Sequence, residues 1–594
     1  MIDVLLPLGL GFVAAVVLTP LSMWIARRNG VVARPVKDRW SQREVPLLGG
    51  TAIFAAFVVA VLLSGPAHPA LVAILAGGSL LFVLGLVDDV VHLRPSTKLV
   101  GQVVAACVLV ALGVEARFVD NRLITIPLTI VWVVAVTNAF NLIDNMDGLC
   151  AGVGTIAAVA LAAYALRYAG DPFPLVARVS LALAGAQAGF LVFNVNPARS
   201  FMGDAGALLI GFVLAAAAIM GTYEHAGNLF LILAVPVFVL GLPIFDTTFV
   251  TIVRKLNRRK ISQGGKDHLS HRLVAIGIGE RRAVFILWGI CAALAGLAVA
   301  ASYLDIFANL FLMGTALAAV VIFAVFLAEV AIYRPVEESA KRDVEQEVRK
   351  TFVNYVRGPS LVLLDLGLIC LAWLAAHLVK FEGVVPAFEQ ERMLESLPVV
   401  IIAQSILFRV FHLYRGIWRY FGVRDLFSIL KAVLGGTLLK VALIVVLFRF
   451  EGFSREVLVI DAMALFLLTA GSRFLFRALL EARRFPLDGR RVVVVGAGDA
   501  GELCLRALRT RKGMGFLPVA IVDPDRRLKG RDLLGVPVRG TLPDLERVAR
   551  ESRAEEVVLS GPMEEEEVGR IRETCDRLEL PLYLAPVSHE FVRI

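Results

Sequence analysis

The stretch "VTNAFNLIDNMDG", Val136 to Gly148, decides how this chain is read. It closes an apolar run, "LITIPLTIVWVVAV" (123–136). If that run continues as a helix, Asn138, Asn141, Asp144 and Asp147 step by three and share one slowly drifting face. Such a face is costly in lipid. It therefore lines a wet cavity or lies outside the membrane.

Outward from this stretch the chain is membrane-like. Of its 594 residues 58% are hydrophobic and 19% charged, and its mean hydropathy is +0.77. Apolar runs recur near 4–26, 47–64, 70–87, 99–114, 124–140, 149–167, 175–193, 205–221, 228–250, 283–303 and 308–332. Four more lie near 360–379, 397–413, 428–448 and 457–475. This pattern predicts a polytopic α-helical membrane protein of about 15 transmembrane helices, ending in an α/β domain. The expected organisation is a membrane domain at 1–332, a charged linker at 333–359, a four-helix membrane module at 360–485 and a nucleotide-binding domain at 486–594. The first run has no basic n-region and no clear cleavage site, so it is expected to stay as a helix. Six scattered cysteines contain no C-x-x-C pair, which gives no metal knuckle and no disulfide framework.

The formal charge of +9 fits basic cytoplasmic loops better than a nucleic-acid surface. Arg27, Arg28, Arg34, Lys37, Arg39 and Arg43 fall on one side, with Arg254, Lys255, Arg258, Arg259, Lys260, Lys266, Arg415 and Arg419. The opposite loops, "GPAHPA" and "TYEHAGN", lack Lys and Arg. The N-terminus is therefore expected outside and the tail in the cytoplasm. With that topology "DDVVHLRPSTK", "NAFNLIDNMDG", "NVNPARSFMGDAG" and "GGKDHLSHR" all reach the cytoplasmic side.

Asp88 and Asp89 are adjacent carboxylates that ionise together most easily beside a cation. Asp144 and Asp147 form a second acidic pair, and Asp204 stands in "FMGDAG". Hard carboxylate oxygens suit Mg²⁺, with Mn²⁺ as a substitute. Mg²⁺ takes few protein ligands and shares the rest with water and phosphates. Arg43, Lys98, His268 and His271 are candidate partners for a phosphorylated substrate. Alone, each cluster reads as a solvated helix end, a polar packing seam or a surface histidine pair. Together on one membrane side they point to one site.

Six ordered motifs carry a resemblance: "PLLGG" (46–50), "GLVDDVVHLRPSTKLVGQ" (85–102), "NAFNLIDNMDGL" (138–149), "FNVNPARSFMGDAGAL" (193–208), "PIFDT" (243–247) and "DHLSHRL" (267–273). With these, residues 1–332 resemble the polyprenyl-phosphate N-acetylhexosamine-1-phosphate transferases. The resemblance implies that an undecaprenyl phosphate oxygen attacks a UDP-N-acetylhexosamine, releasing UMP at the bacterial inner membrane. It implies Asp204 and Asp89 as metal ligands, and Asp88 or Asp89 at the lipid phosphate. Asn138, Asn141, Asp144, Asp147 and Asn194 would bind substrate, with His268 and His271 at the sugar nucleotide. Ser41 stands where relatives often carry histidine, and Ser270 interrupts a motif richer in histidine elsewhere. The adjacent histidines typical of the phospho-MurNAc-pentapeptide translocase branch are absent, which favours UDP-GlcNAc as donor. The oligomeric state, a homodimer included, is not legible.

In the tail, "RRVVVVGAGDAGELCLRALR" reads as strand, glycine turn and helix, with Gly496, Gly498 and Gly501 as G-x-G-x-x-G. Asp523 closes the next strand at the separation expected of a ribose-binding acid. NAD(P) or another nucleotide is the implied ligand, and a cofactor-free Rossmann-like fold is the alternative. "LLDLGLICLAWLAAHLVKF" (363–381), "LYRGIWRYFGVRDL" (413–426) and "GSRFLFR" (471–477) resemble the N-terminal part of membrane-bound polysaccharide-biosynthesis proteins of the nucleotide-sugar dehydratase/epimerase type. The tail has no Tyr-x-x-x-Lys pair, so dehydratase chemistry is not expected. A transporter would spread its charges through the bilayer, whereas these gather at one face.

Overall fold

The computed structural model describes residues 2–33, 44–116, 121–167, 175–223, 229–256, 265, 267–328, 342–414, 421–449, 453–481, 490–510, 516–561, 563–584 and 592–593. It divides into two compact units, Met1–Val274 with Gly279–Leu480, and Ala275–Ile278 with Glu481–Ile594.

The first unit is helical. α1 (Ile2–Arg28) is followed by a short antiparallel pair, β1 (Val32–Ala33) and β2 (Val45–Pro46). Next come α2 (Gly49–Leu63), α3 (Pro69–Val91), α4 (Pro95–Ala111), α5 (Arg122–Ile143), α6 (Leu149–Arg167), α7 (Leu175–Asn194) and α8 (Gly203–Tyr223). α9 (Leu229–Val239), α10 (Gly241–Leu256), the short α11 (Leu269–Ala275), α12 (Glu280–Ala300) and α13 (Ile306–Ala328) complete the first set. Four long helices follow: α14 (Arg342–Lys380), α15 (Ala387–Val410), α16 (Val423–Phe448) and α17 (Arg455–Glu481). Among the described residues twelve helices are long and apolar enough to cross a membrane, and α2 and α4 are shorter apolar helices. The run expected as one span at 228–250 is two helices, α9 and α10. Pro236 lies inside α9, where it removes a backbone donor. The charged segment 342–359, expected as linker, is helix continuous with the following span.

α8 is the axis of the first set. It packs against α2, α3, α5, α6 and α7, and its spanning window is 83% buried. Hydrocarbon solvent gives helices no hydrophobic reason to associate, so small residues that admit close packing hold them together. A Cβ at Gly211 of α8 would stand 2.7 Å from Thr137 Cα of α5, and one at Gly11 of α1 2.6 Å from Ala182 O of α7. Gly85 matters most for the site. A Cβ there would lie 2.5 Å from Ala205 Cα and 2.6 Å from the Asp204 carbonyl carbon. Gly85→Val is expected to force α3 off α8, costing about 1–3 kcal/mol of stability by overpacking. Thermal unfolding in detergent reads the loss, and an unchanged midpoint refutes the packing argument.

The four-helix module is cross-tied by buried charge. Lys440 on α16 pairs with Asp461 on α17, and Arg473 on α17 with Asp365 on α14 at 2.9 Å. All four groups are buried, and each charge has its partner within the bundle, the arrangement hydrocarbon surroundings require.

The second unit is a parallel-centred sheet. Its elements are β3 (Arg490–Val495), α18 (Asp499–Thr510), β4 (Phe516–Val522), β5 (Asp532–Leu533), β6 (Val536–Gly540), α19 (Leu545–Ser552), β7 (Glu556–Leu559), α20 (Glu565–Arg577), β8 (Leu582–Leu584) and β9 (Val592–Arg593). The strand order is β5-β6-β4-β3-β7-β8-β9. β6, β4, β3, β7 and β8 run parallel, and β5 and β9 are antiparallel edges. An apolar core covers each face. Cys504 and Cys575 sit in these cores, where burial pushes their thiols up to about 12 and about 11; neither is a reactive thiolate at neutral pH.

Candidate active site

The first motif builds backbone rather than chemistry. Phe201 N donates to Pro46 O, Gly49 N to Phe201 O and Gly50 N to Met202 O, each at 2.9 Å. "PLLGG" thereby pins the "SFMGD" loop that opens α8.

Two neighbouring aspartates at the end of α3 then take different tasks. Asp89 turns to α8: its Oδ1 accepts the Asp204 amide at 2.7 Å and its Oδ2 the Ala205 amide at 3.2 Å. It satisfies two of the amides a helix start leaves unpaired and sets negative charge at the positive end of the dipole. Gly203 permits this. Its φ is +67°, and a Cβ there would run into the Asp89 carboxylate, 2.7 Å from Cγ. Asp88 turns the other way. Its Oδ1 accepts the Leu93 amide at 2.6 Å, which steadies the turn into α4. Its Oδ2 accepts Lys98 Nζ at 2.9 Å, and the same ammonium donates to Asp204 Oδ2 at 2.7 Å. Lys98 thus bridges carboxylates from α3 and α8.

The opening stretch of sequence is helical only to Ile143, not through Asp147. Asp144 caps α5 with φ −75° and ψ 54°, and Gly148 turns at φ +77°. Asn138 lies exposed and Asn141 half-buried on α5. Past the helix end, Asp147 Oδ2 accepts the Ala198 amide at 2.9 Å and Asn196 Nδ2 at 3.2 Å. Asn194 accepts the Gly148 amide at 3.0 Å and donates to Ser200 O at 2.8 Å. Residues 194–205 therefore join the Asp147 turn to the Asp88–Lys98–Asp204 bridge.

A third group closes the set. Asp246 on α10 holds His268 Nδ1 at 2.7 Å through Oδ2 and accepts the Leu269 amide at 2.8 Å through Oδ1. Both side chains are buried. Ser270 Oγ donates to Asn145 Oδ1 at 2.6 Å, tying this segment to the turn after α5. Arg254 pairs with Asp267 at 3.0 Å, and Arg272 donates to Asp267 O at 3.0 Å and Leu327 O at 2.8 Å. His271 follows His268 with ring centroids 6.3 Å apart.

A divalent cation fits part of this arrangement. Asp88 Oδ2 and Asp204 Oδ2 converge on one cation-sized point, 2.9 and 2.7 Å from a single ammonium nitrogen. Two hard oxygens are a usual protein share for Mg²⁺. Among the described residues no three His, Cys, Asp or Glu side chains group closely enough to form a complete metal cage.

The profile of glycosyl transferase family 4 matches residues 71–222, and that of a CoA-binding domain matches residues 410–586. A probable undecaprenyl-phosphate N-acetylglucosaminyl 1-phosphate transferase of Bacillus subtilis is 35% identical over 298 residues, covering 48% of this chain and 82% of that protein. The chain belongs to glycosyl transferase family 4. A decaprenyl-phosphate N-acetylglucosaminephosphotransferase of Mycolicibacterium smegmatis is 34% identical over 316 residues, 47% of this chain and 78% of its own length. A phospho-N-acetylmuramoyl-pentapeptide-transferase of Halalkalibacterium halodurans is 32% identical over 338 residues, 51% of this chain and 97% of its own.

Of the family residues expected from sequence, Arg43 lies outside the described residues. Asp88, Lys98 and Asp204 come together. Asp89 sits beside them with its oxygens on backbone amides, and Asp147 and Asn194 likewise hold loop backbone. Asp246 was not among the expected site residues. Its signal was present in "PIFDT", yet one carboxylate on an amphipathic helix does not reveal a histidine partner 22 residues later.

In the tail the three glycines differ. Gly496 turns at φ +101°, Gly501 packs against the Gly496 carbonyl carbon, 2.9 Å from where its Cβ would be, and a Cβ at Gly498 would meet nothing within 4 Å. These are the turn, packing and open-approach roles of a dinucleotide fingerprint. Asp523 is committed elsewhere: Oδ2 accepts the Ala497 amide at 2.5 Å and Oδ1 the Asp525 amide at 2.7 Å. It latches the glycine turn to β4. Asp523→Ala is expected to cost the tail about 1–3 kcal/mol, because two amides lose their acceptor. Hydrogen exchange at Ala497 and Asp525 checks this, and unchanged protection refutes it.

Proposed function

We propose that this chain transfers N-acetylglucosamine 1-phosphate from UDP-N-acetylglucosamine to undecaprenyl phosphate at the cytoplasmic face of a bacterial inner membrane. A lipid-phosphate oxygen attacks the sugar-bearing phosphorus of the donor. The phosphoanhydride bond to UMP breaks, UMP leaves with the bridging oxygen, and a lipid diphosphate sugar forms, the first step of an envelope polysaccharide. One observation carries the reading: motifs scattered from Pro46 to Asp204 meet around two carboxylates that share Lys98, and Ser270 ties the histidine segment to the turn after α5. The relatives' names support the lipid-phosphate acceptor and the transferred group. The basic loops support an N-terminus outside, and the twelve long apolar helices, the shorter α2 and α4, and α9 with α10 as one interrupted crossing support about 15 spans.

Mg²⁺, or Mn²⁺ in its place, would be held by Asp204 and Asp88, and supplies charge neutralisation on the diphosphate. The chain's own residues do the rest. Lys98 stands where it can pass from the carboxylates to a substrate phosphate. His268, oriented by Asp246, presents its other ring nitrogen to the sugar nucleotide. Asp89 holds the start of α8 and so fixes where Asp204 points. Asn138, Asn141 and Asp144 line the nucleotide side. Phosphoryl transfer asks for such positioning and charge balance rather than covalent help. The tail is read as a nucleotide-binding module separate from the transfer step.

The test is UMP release by the purified chain with undecaprenyl phosphate, UDP-N-acetylglucosamine and Mg²⁺. Release should need the lipid and fall at least about 100-fold in EDTA. Release without lipid, or only with UDP-MurNAc-pentapeptide, overturns the assignment.

A further inference from the structure

A cavity of about 680 Å³ lies between α13, α14 and α15, with apolar side chains and glycines lining it. The one lining ring with a strong donor is internally satisfied, since Trp373 Nε1 donates to Met393 O at 3.2 Å. All three helices are candidate membrane spans, so the cavity meets hydrocarbon rather than water.

Gly367 indicates that the space is kept open. Glycine inside a helix costs about 1 kcal/mol against alanine, and in membranes it usually admits a neighbouring helix. A Cβ at Gly367 would meet nothing within 4 Å. This glycine admits no helix; it widens the cavity. Gly314, facing it from α13, is the packing kind, with Leu371 Cδ2 2.6 Å from its would-be Cβ.

α13 also joins the cavity to the active site. Its last turn is held by Arg272, whose guanidinium reaches Leu327 O at 2.8 Å from the segment bearing His268 and His271. Lining residues on α13 run from Val321 back to Phe307. At 1.5 Å per residue the cavity begins about 9 Å from that bond and ends about 30 Å from it, the thickness of a hydrocarbon core.

We propose that this cavity holds the polyisoprenoid chain of the lipid acceptor, so that the four-helix module supplies one wall of the acceptor site. The proposal rests on the transferase reading above. In a bilayer an unfilled cleft forfeits dispersion contacts with no water to exclude, so its occupant is a hydrocarbon chain. The acceptor's head reacts at the site on α11's side of Arg272, and its chain has to enter the bilayer from there.

The experiment uses the full chain in nanodiscs with an undecaprenyl phosphate carrying a diazirine in its chain. A phosphatidylglycerol with an acyl-chain diazirine is the comparator. The isoprenoid probe should label residues 307–321, 363–374 and 393–397. Excess undecaprenyl phosphate should suppress that label about tenfold, and phosphatidylglycerol should not. Gly367→Phe, with Ala318→Phe as a second plug, should raise KM for undecaprenyl phosphate about fivefold with kcat within about twofold. A single-isoprene phosphate, too short to reach the cavity, should keep its KM. Labelling elsewhere, or equal labelling by the acyl probe, overturns the proposal. UMP release by the unsubstituted chain separates the failures: release without cavity labelling sinks this inference alone, and no release sinks the transferase reading with it.

Discussion

Asp204→Asn is expected to lower lipid-dependent UMP release by about 10³-fold or more while the protein stays folded. The two side chains are nearly the same size, so what changes is charge at one point. Asp204 Oδ2 stands 2.7 Å from Lys98 Nζ, with the side chain 28% exposed, at the mouth of the site rather than in its core. An amide there leaves Lys98 balanced by Asp88 alone and removes one of two hard oxygens offered to a metal. Each tenfold in rate is about 1.4 kcal/mol, so the loss corresponds to about 4 kcal/mol of charge stabilisation. The helix start survives, because Asp89 still accepts the amides of residues 204 and 205. Asp89→Asn should show the contrasting signature. With one oxygen in place of two it can no longer hold both amides, so the melting temperature falls with a smaller rate loss. Turnover and thermal midpoint measured on both variants decide the matter. Unchanged turnover in folded Asp204→Asn removes Asp204 from the chemistry.

The different tasks of Asp88 and Asp89 show where sequence reading stops. The motif "VDDVV" identifies both, yet successive helical residues point about 100° apart. Which faces α4 and which faces α8 depends on where those helices lie. Lys98 stood among four candidate cations for the same reason; only the approach of α4 to α3 and α8 selects it. The long apolar runs were legible because lipid demands about twenty apolar residues per crossing. The stretch after Phe140 was less so. Its polar residues keep a three-residue step, but Asp and Asn also compete for local backbone hydrogen bonds, and the chain leaves the helix at Asp144. In the tail the glycine fingerprint was readable as strand, turn and helix, while the separate role of each glycine came only with the backbone. That Asp523 spends its oxygens on its own chain was not readable, because a ribose-binding acid and a latch occupy the same place in the sequence.

Asp246→Asn is expected to lower kcat by about 10²–10³-fold, although Asp246 need not touch substrate. Its carboxylate only accepts hydrogen bonds. Held 2.7 Å from His268 Nδ1, it favours the tautomer with the ring proton on that nitrogen and leaves Nε2 as the acceptor. An asparagine amide can instead donate to Nδ1, which selects the other tautomer and turns Nε2 from acceptor to donor. The second bond survives in that rotamer, because the asparagine oxygen stays where Asp246 Oδ1 accepts the Leu269 amide, so the short helix that carries both histidines keeps its anchor. Orientation and tautomer belong to one unit, and residues that act as a unit are not additive. His268→Gln alone, Asp246→Asn alone and the double variant should therefore lie within about tenfold of one another in kcat. If the double variant multiplies the two losses, Asp246 acts independently of His268, and the dyad is a structural pairing on the wall of the site.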